Sequence, residues 1–431
     1  MIVNEFNVLT ENSNGAFVAL KQGDYYVAAI TKRGVDLIKV SQDFSSASVV
    51  KSIQLVPGST FAYAIWNSYG RNYVDAYLVY YGGDGSITSY KARVTPGDIT
   101  ADKVASYNAG AHVYSTLDST ITYPRIWYED SRSTENCISM IDMTTGKIQQ
   151  FGCYGPAGYN IWPMVTYNGP TQLGNMKALL SSHHYWIVGA YAYLHIMNRY
   201  TGTPATSVTN WDSCSGAFSA NDKFVGGPWH GKNVAWGRSG GIGSQPCFYV
   251  FDVPYTQVNT SIRSWPGFPR DMMKAFIPID FNNNNLLFLS SWNEYTTGKN
   301  YVVLGTLNNL TSPTPIEKKE VNMWHDHEST VSIYDLERNA FITFGATLTY
   351  LLVVAVDNVR PYPTTLSRTV PRAYVTSTNI KPYVWGRATW CPDEEGQCTM
   401  AGTGGGPTQN DLWKYALVGA FAGVISGLAS R

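Results

Sequence analysis

Hydrophobic positions come in short blocks along most of this chain. Runs of Val, Ile, Tyr, Phe, Trp and Thr are broken by clusters of Gly, Asn, Asp and Pro. Examples are Tyr25–Ile30, Val35–Val40, Phe61–Trp66, Tyr73–Tyr81, Tyr185–Met197, Phe248–Val253, Asn285–Trp292, Tyr301–Thr306 and Leu348–Val356. β-Branched and aromatic blocks bounded by turn formers read as strands. Up to about Thr378 there is hardly a stretch with the three-to-four spacing of an amphipathic helix. The pattern predicts an all-β body.

The blocks also recur. A strong strand, a polar turn and a weaker strand follow one another at Ile38–Asp43, Leu78–Asp84, Met140–Gly146, Ile196–Gly202, Tyr249–Pro254, Leu304–Asn309 and Ala355–Asn358. These seven occurrences lie roughly 40 to 60 residues apart, the spacing of propeller blades. Each unit reads as four strands, with the named turn joining the third to an outermost fourth. Residues 1–380 are therefore expected to form a β-propeller of about seven four-stranded blades. Two consecutive β-sandwiches or a jelly roll would satisfy the same strand composition. Radial repetition is favoured because it leaves only short, protected edges.

Beyond Pro382 the character changes. Residues 381–400 carry Trp385, Trp390, Cys391 and Cys398 and read as a small stapled segment; 401–410 reads as a Gly-rich linker. Residues 411–431 predict a C-terminal hydrophobic α-helix. Gly419, Gly423 and Gly427 recur every fourth residue, which places them on one face where another helix approaches closely. From Leu412 to Leu428 such a helix spans roughly 26 Å, near the short limit for a bilayer core of about 30 Å. Trp413 and Tyr415 suit a water–lipid interface. A helix docked on the protein's own core is the bland alternative.

Composition adds environment. Lys+Arg and Asp+Glu are 31 each, so the net charge is zero and nucleic acid is not an expected partner. Charged residues are only 14% of the chain, which leaves Asn, Ser, Thr, Gly and Tyr to cover the surface. The stretch Met1–Phe6 has neither the basic nor the apolar region of a secretory signal. Six cysteines occur, none in a CxxC. Cys137 and Cys153 lie symmetrically about the turn Thr144–Gly146, so a hairpin closed there sets them opposite each other at a bridgeable separation. Cys391 and Cys398 bracket a short loop, leaving Cys214 and Cys247 as a third pair; six unpaired thiols in a reducing cell are the alternative.

Candidate chemistry is thin. His325 and His327 share one face if they lie on a strand, a two-ligand start for a metal site, but no further ligand can be named. An exposed loop or blade start held by hydrogen bonds is the favoured account of them, and no metal is expected. No cofactor is expected. No nucleophile elbow, P-loop or dinucleotide fingerprint occurs. A glycan hydrolase or lyase needs two flanking carboxylates that the sequence does not pair. Exposed aromatics such as Trp127, Trp186, Trp211, Trp229, Trp236 and Trp265 could stack on sugars, or they fill the wedges between blades. Asn259 and Asn309 open acceptor-type glycosylation sequons, expected in outer turns.

Taken together, the low charge with abundant Tyr, Asn and Thr, the paired cysteines, the missing signal and the Gly419/Gly423/Gly427 tail resemble virion surface or spike proteins. The type is that of membrane-containing viruses of thermoacidophilic archaea. That resemblance implies a non-enzymatic propeller head for host attachment or capsid decoration. It implies a tail seated in membrane lipid or among hydrophobic capsid proteins, self-association through the tail, and a host surface glycan or protein as partner. Two other classes remain open: a cellular, tail-anchored scaffold binding protein or glycan at a cell surface, and a propeller-type glycan-active enzyme.

Overall fold

The computed structural model describes residues 1–59, 61–69, 73–82, 84 and 86–108, and strand segments between 115 and 262. It further describes 264–282, 285–309, 311–323, 330–335, 337–359, and three short strands between 380 and 400. The opening strand is β1 (Ile2–Asn7). Six successive four-stranded antiparallel sheets follow, each in sequence order. The first holds β2 (Ser13–Gln22), β3 (Asp24–Thr31), β4 (Gly34–Val40) and β5 (Ala47–Gln54). The second holds β6 (Phe61–Tyr69), β7 (Val74–Tyr81), β8 (Ser86–Thr95) and β9 (Asp98–Asn108). The third is β10 (Ser115–Asp118), β11 (Arg125–Asp130), β12 (Glu135–Asp142) and β13 (Ile148–Pro156). The fourth is β14 (Met176–Leu180), β15 (Tyr185–Ala190), β16 (Tyr193–Asn198) and β17 (Pro204–Val208). The fifth is β18 (Phe224–Trp229), β19 (Lys232–Gly237), β20 (Cys247–Asp252) and β21 (Val258–Ile262). The sixth is β22 (Met272–Asn282), β23 (Asn285–Glu294), β24 (Lys299–Asn308) and β25 (Ser312–Val321).

The seventh sheet closes the ring. It contains β26 (Thr330–Asp335), β27 (Ala340–Thr347) and β28 (Tyr350–Asp357), and its outermost position is filled by β1, paired antiparallel from Ile2 opposite Ala355 to Asn7 opposite Tyr350. The first strand of the sequence thus completes the last blade, so the chain is a seven-bladed β-propeller. Neighbouring innermost strands touch, β2 against β6, β6 against β10, β14 against β18 and β26 against β2. Three short strands follow: β29 (Ile380–Tyr383), β30 (Trp390–Pro392) and β31 (Cys398–Met400).

The blades share a feature that residue identity hides. In all six continuous blades the pairing of third and outermost strands contains a register shift. In each of the six, one shift leaves an extra residue on the outer strand: Val50, Val104, Phe151, Ala205, Asn259 and Ile316. The β28–β1 pairing has no such shift. A bulge twists an edge strand and interrupts its ladder, which blunts a free sheet edge against pairing with other chains. The described bulge residues stand out into solvent, Val50 at 42%, Val104 at 36% and Ile316 at 57% exposure.

Tyrosines tie blade to blade. Tyr80 and Tyr90 of the second blade donate to the carbonyls of Gly34 (2.7 Å) and Leu55 (2.6 Å) in and after the first. Tyr334 of the seventh blade donates to Ile279 O of the sixth at 2.9 Å. Each ring fills a wedge while its hydroxyl satisfies a backbone acceptor. Trp265 and Trp292 are fully buried in the sixth blade, Trp265 packed edge-on against Phe268 and Phe288. Trp265 is therefore a core residue and not a sugar platform.

Gly34 marks the tightest backbone approach among the described glycines: a Cβ there would lie 1.8 Å from Ile53 O. Backbone cannot yield as a side chain does. Gly34→Ala is expected to destabilise the first blade by about 1–3 kcal/mol, read as a lower denaturation midpoint. An unchanged midpoint would mean that β5 relocates freely.

Several expectations need correcting. The turn at Leu78–Asp84 joins the second strand to the third, not the third to the fourth. The block Tyr185–Met197 is two strands, β15 and β16. The unit ending at Asn358 has no outer strand of its own, because β1 supplies it. The boundary expected at 380/381 runs through β29, which pairs with β26. Asn259 lies in β21 at its bulge rather than in a turn, whereas Asn309 sits in the exposed β24–β25 turn.

Candidate binding surface

Alternation of strand direction gives the ring two distinct ends. At one, the crossover end, the chain passes from an outermost strand to the next innermost strand, and second strands turn into third strands. The contact of Leu55 N and Val56 N with Arg33 O, at 2.8 and 3.0 Å, places both kinds of connection together. The opposite end carries the first-to-second and third-to-fourth turns.

The two ends differ in chemistry. Turns at the opposite end place the exposed Asn309, Asn339 and Asn358 at positive φ, and also Phe44, whose ring is fully buried against Tyr25. Asn tolerates that region through local hydrogen bonding, so these turns are simply satisfied. At the crossover end, the turn of the seventh blade holds Leu348 at φ 51° with its side chain 42% exposed. A branched apolar residue in that conformation is strained. The surrounding backbone imposes it. Leu348 O accepts from Ser13 N at 2.8 Å, and Thr349 O accepts from Val8 N and Leu9 N, both at 3.1 Å.

The sixth blade repeats the arrangement. Its second-to-third turn presents Tyr295 at 48% exposure. Asp271, buried and at φ 75°, accepts from Thr296 N at 3.2 Å, and Glu294 accepts from Arg270 N at 3.0 Å. Two consecutive blades thus project a large apolar side chain from clamped turns at one end. At position 348 an asparagine would cost less.

Where the ring closes, a buried charge network locks blade one to blade seven. Lys21 Nζ lies 2.7 Å from Asp335 Oδ2 and 2.9 Å from Glu337 Oε2. Tyr25 donates to the same Asp335 oxygen, and the amides of Glu337 and Arg338 donate to Asp335 Oδ1 at 3.0 and 3.2 Å. Burial works to raise the Asp335 pKa, but the hydrogen bonds from Lys21, Tyr25 and the Arg338 amide outweigh it and hold the carboxyl below its usual range. Burial likewise opposes the Lys21 ammonium, and Asp335 and Glu337 together hold it above the usual lysine range. Burial, then the Asp335 bond, push the Tyr25 hydroxyl upward.

The inner wall carries one more element. β29 pairs antiparallel with β26, Ile380 opposite Asp335 through Tyr383 opposite Ser332, so β26 gains a second partner and the sheet of the seventh blade a fifth strand. β29 also lies against β2, and β30 against β6.

The expected chemical sites fare unevenly. Cys137 and Cys153 are directly opposite in the β12–β13 register, brought there by the bulge at Phe151. Cys391 pairs with Thr399 and Cys398 with Pro392, so that second pair is one position out of register. Cys247 begins β20; Cys214 lies outside the described residues, as do His325, His327 and the whole tail with Trp413, Tyr415, Gly419, Gly423 and Gly427. Among the described residues no three His, Cys, Asp or Glu are placed to hold a metal ion, and no helix is long and apolar enough to cross a membrane. Neither Leu348 nor Tyr295 stands out in the sequence as a binding residue. The one available signal was a Leu between two threonines at a strand boundary, which reads as strand until its φ is known.

No protein-family model matches the chain, and no curated protein matches it. Among solved structures, the chain is similar to the WD40 domain of SCAP from fission yeast, at 10% identity and a TM-score of 0.41, covering 76% of this chain and 81% of that one. It is similar to Sqt1 of Chaetomium thermophilum, solved bound to the N-terminus of ribosomal protein L10, at 12% identity and a TM-score of 0.38, covering 80% and 100%. It is also similar to the fission yeast SREBP–SCAP binding-domain complex, at 9% identity and a TM-score of 0.34, covering 69% and 62%. Strand order and register, not these likenesses, make the chain a propeller.

Proposed function

We propose that this protein is a non-enzymatic binding scaffold that grips a protein partner at the crossover end of its ring. The observation carrying this reading is Leu348: an exposed leucine held at positive φ by three backbone hydrogen bonds. Strain that persists on an exposed side chain argues for use, since any asparagine would relieve it. Tyr295 on the adjacent blade supports the same face, because exposed aromatics anchor protein interfaces.

The reading makes stability and binding move in opposite directions. Leu348→Asn is expected to raise the unfolding free energy by about 1 kcal/mol, read as a higher denaturation midpoint, while affinity for the partner falls at least tenfold. Tyr295→Ser is expected to weaken binding with little change in stability. Asn358→Ser at the opposite end should leave binding intact. Quantitative capture from the protein's native source, with these three variants beside the unaltered chain, tests it. Partners retained equally by all four would remove the crossover end from the account.

A further inference from the structure

Among the six continuous blades, the third has the most interrupted outer ladder. Its β12–β13 pairing carries two register shifts, between Glu135 and Cys137 and between Ile138 and Ser139, where the other five carry one each. Two rungs remain between the breaks, Cys137 opposite Cys153 and Ile138 opposite Gly152. Each shift disrupts the hydrogen bonding of β13, an outermost strand with a neighbour on one side only. A covalent bond on one of these rungs would hold the strand where its ladder is weakest.

The backbone places a cysteine at both ends of one rung. Directly opposed residues of an antiparallel pair share a face, with Cα atoms about 4.5 or 5.5 Å apart according to the type of rung. Both values fall within the span of about 4.4–6.8 Å that a disulfide bridges. The bulge creates this match. Continued without it, the register from Ile141–Ile148 through Ser139–Gln150 sets Cys137 opposite Gly152. No other cysteines are matched in this way among the described residues. Cys391 faces Thr399 and Cys398 faces Pro392, so these two stand one position apart and on opposite faces of their ribbon. Cys247 faces Gly237.

We propose that Cys137 and Cys153 form a disulfide that staples the outermost strand of the third blade between its two register shifts, and that Cys391 and Cys398 do not join each other. This is independent of binding at the crossover end. The bond forms by exchange with a small external disulfide. One cysteine thiolate attacks a sulfur of that disulfide and expels one half of it as a thiolate. The other cysteine thiolate attacks the mixed disulfide and expels the second half. Two S–H bonds become one S–S bond, and the donor is reduced to two thiols that take up the two protons.

The test starts from the full chain, purified without reductant, equilibrated with oxidised glutathione, alkylated during denaturation and digested with trypsin. Cleavage after Arg132, Lys147 and Lys177 separates the two cysteines, so the bond shows as peptide 133–147 joined to peptide 148–177. That joined species is expected, with no internal bond in peptide 388–414, which holds both Cys391 and Cys398. Alkylated Cys137 and Cys153 overturn the staple, and an internal bond in 388–414 overturns the selectivity. The double variant Gly152→Cys with Cys153→Gly reads the register itself. Its new cysteine faces Ile138, so no joined species is expected, and a joined species from this variant overturns the proposal. Hydrogen exchange reads the effect on the strand. Reduction should speed exchange of the β13 amides at least tenfold while β5, β9 and β25 stay unchanged. Equal exchange on β13 before and after reduction overturns the stapling role.

Discussion

Removal of Met1–Asn7 is expected to abolish cooperative folding of the ring. The deleted segment contains all of β1, the outermost strand of the seventh blade, and with it the ladder from Ile2–Ala355 to Asn7–Tyr350. It also removes Glu5, whose carboxylate accepts from Asn322 N at 2.6 Å, Asn322 Nδ2 at 2.9 Å and Met323 N at 3.1 Å, tying the blade to the connection before it. The edge of β28 would then be bare along a strand whose residues Leu351–Val356 are buried. Such a loss is comparable to the whole stability of a typical domain, about 5–15 kcal/mol. Circular dichroism melts and size-exclusion profiles check it. A peptide of residues 1–9 added in trans should restore the cooperative transition. A truncated chain that melts like the full one would show that the ring does not depend on closure by β1.

The second large effect belongs to the seam. Lys21→Met leaves Asp335 ionised and buried among Tyr25 and backbone donors with no ammonium beside it. Breaking a buried pair from one side typically costs about 3–5 kcal/mol. The double change Lys21→Met with Asp335→Asn removes both charges while keeping an acceptor for Tyr25. It is expected to recover most of that loss. Chemical denaturation of the two single variants and the double variant measures the coupling, and strictly additive single effects would mean that the pair does not act as a unit.

The same pair fixes a pH dependence. Asp335 titrates lower folded than unfolded, so its contribution is present above the unfolded carboxylate value of about 4 and is lost as pH falls through the folded value. Lys21 titrates higher folded than unfolded, so its contribution is present below the ordinary lysine range and is lost as pH rises through the folded value. The unaltered chain should therefore lose its advantage over the double variant below about pH 4 and again above about pH 10.5. A constant difference across that range would contradict the role given to the network.

Much of the architecture was legible because propeller blades are built from local periodicity. Alternating β-branched and aromatic blocks marked most strands, and the polar turns at Ile38–Asp43, Met140–Gly146, Ile196–Gly202, Tyr249–Pro254 and Leu304–Asn309 each join a third strand to an outermost one. Cys137 faces Cys153 only because the bulge at Phe151 shifts the β12–β13 register by one; the register next to the turn, with Ile141 opposite Ile148, leads to Gly152. Closure was not legible. Nothing in Ile2–Asn7 distinguishes a strand that pairs locally from one that pairs with residues some 350 positions away. The bulges were hidden for a different reason: a shared backbone shift requires no shared residue, and Val50, Phe151, Ala205 and Asn259 occupy equivalent places. The Lys21–Asp335 lock joins residues brought together only by that closure. Leu348 reads as strand because its composition fits one, and only its backbone angle sets it apart.

The most direct measurement of the account is site-specific photo-crosslinking in the native source, with a photoreactive residue placed singly at 295, 348, 309 and 358. Binding at the crossover end predicts discrete crosslinked species from positions 295 and 348 and none from 309 and 358. The same species from all four positions, or species from 309 and 358 alone, would contradict it.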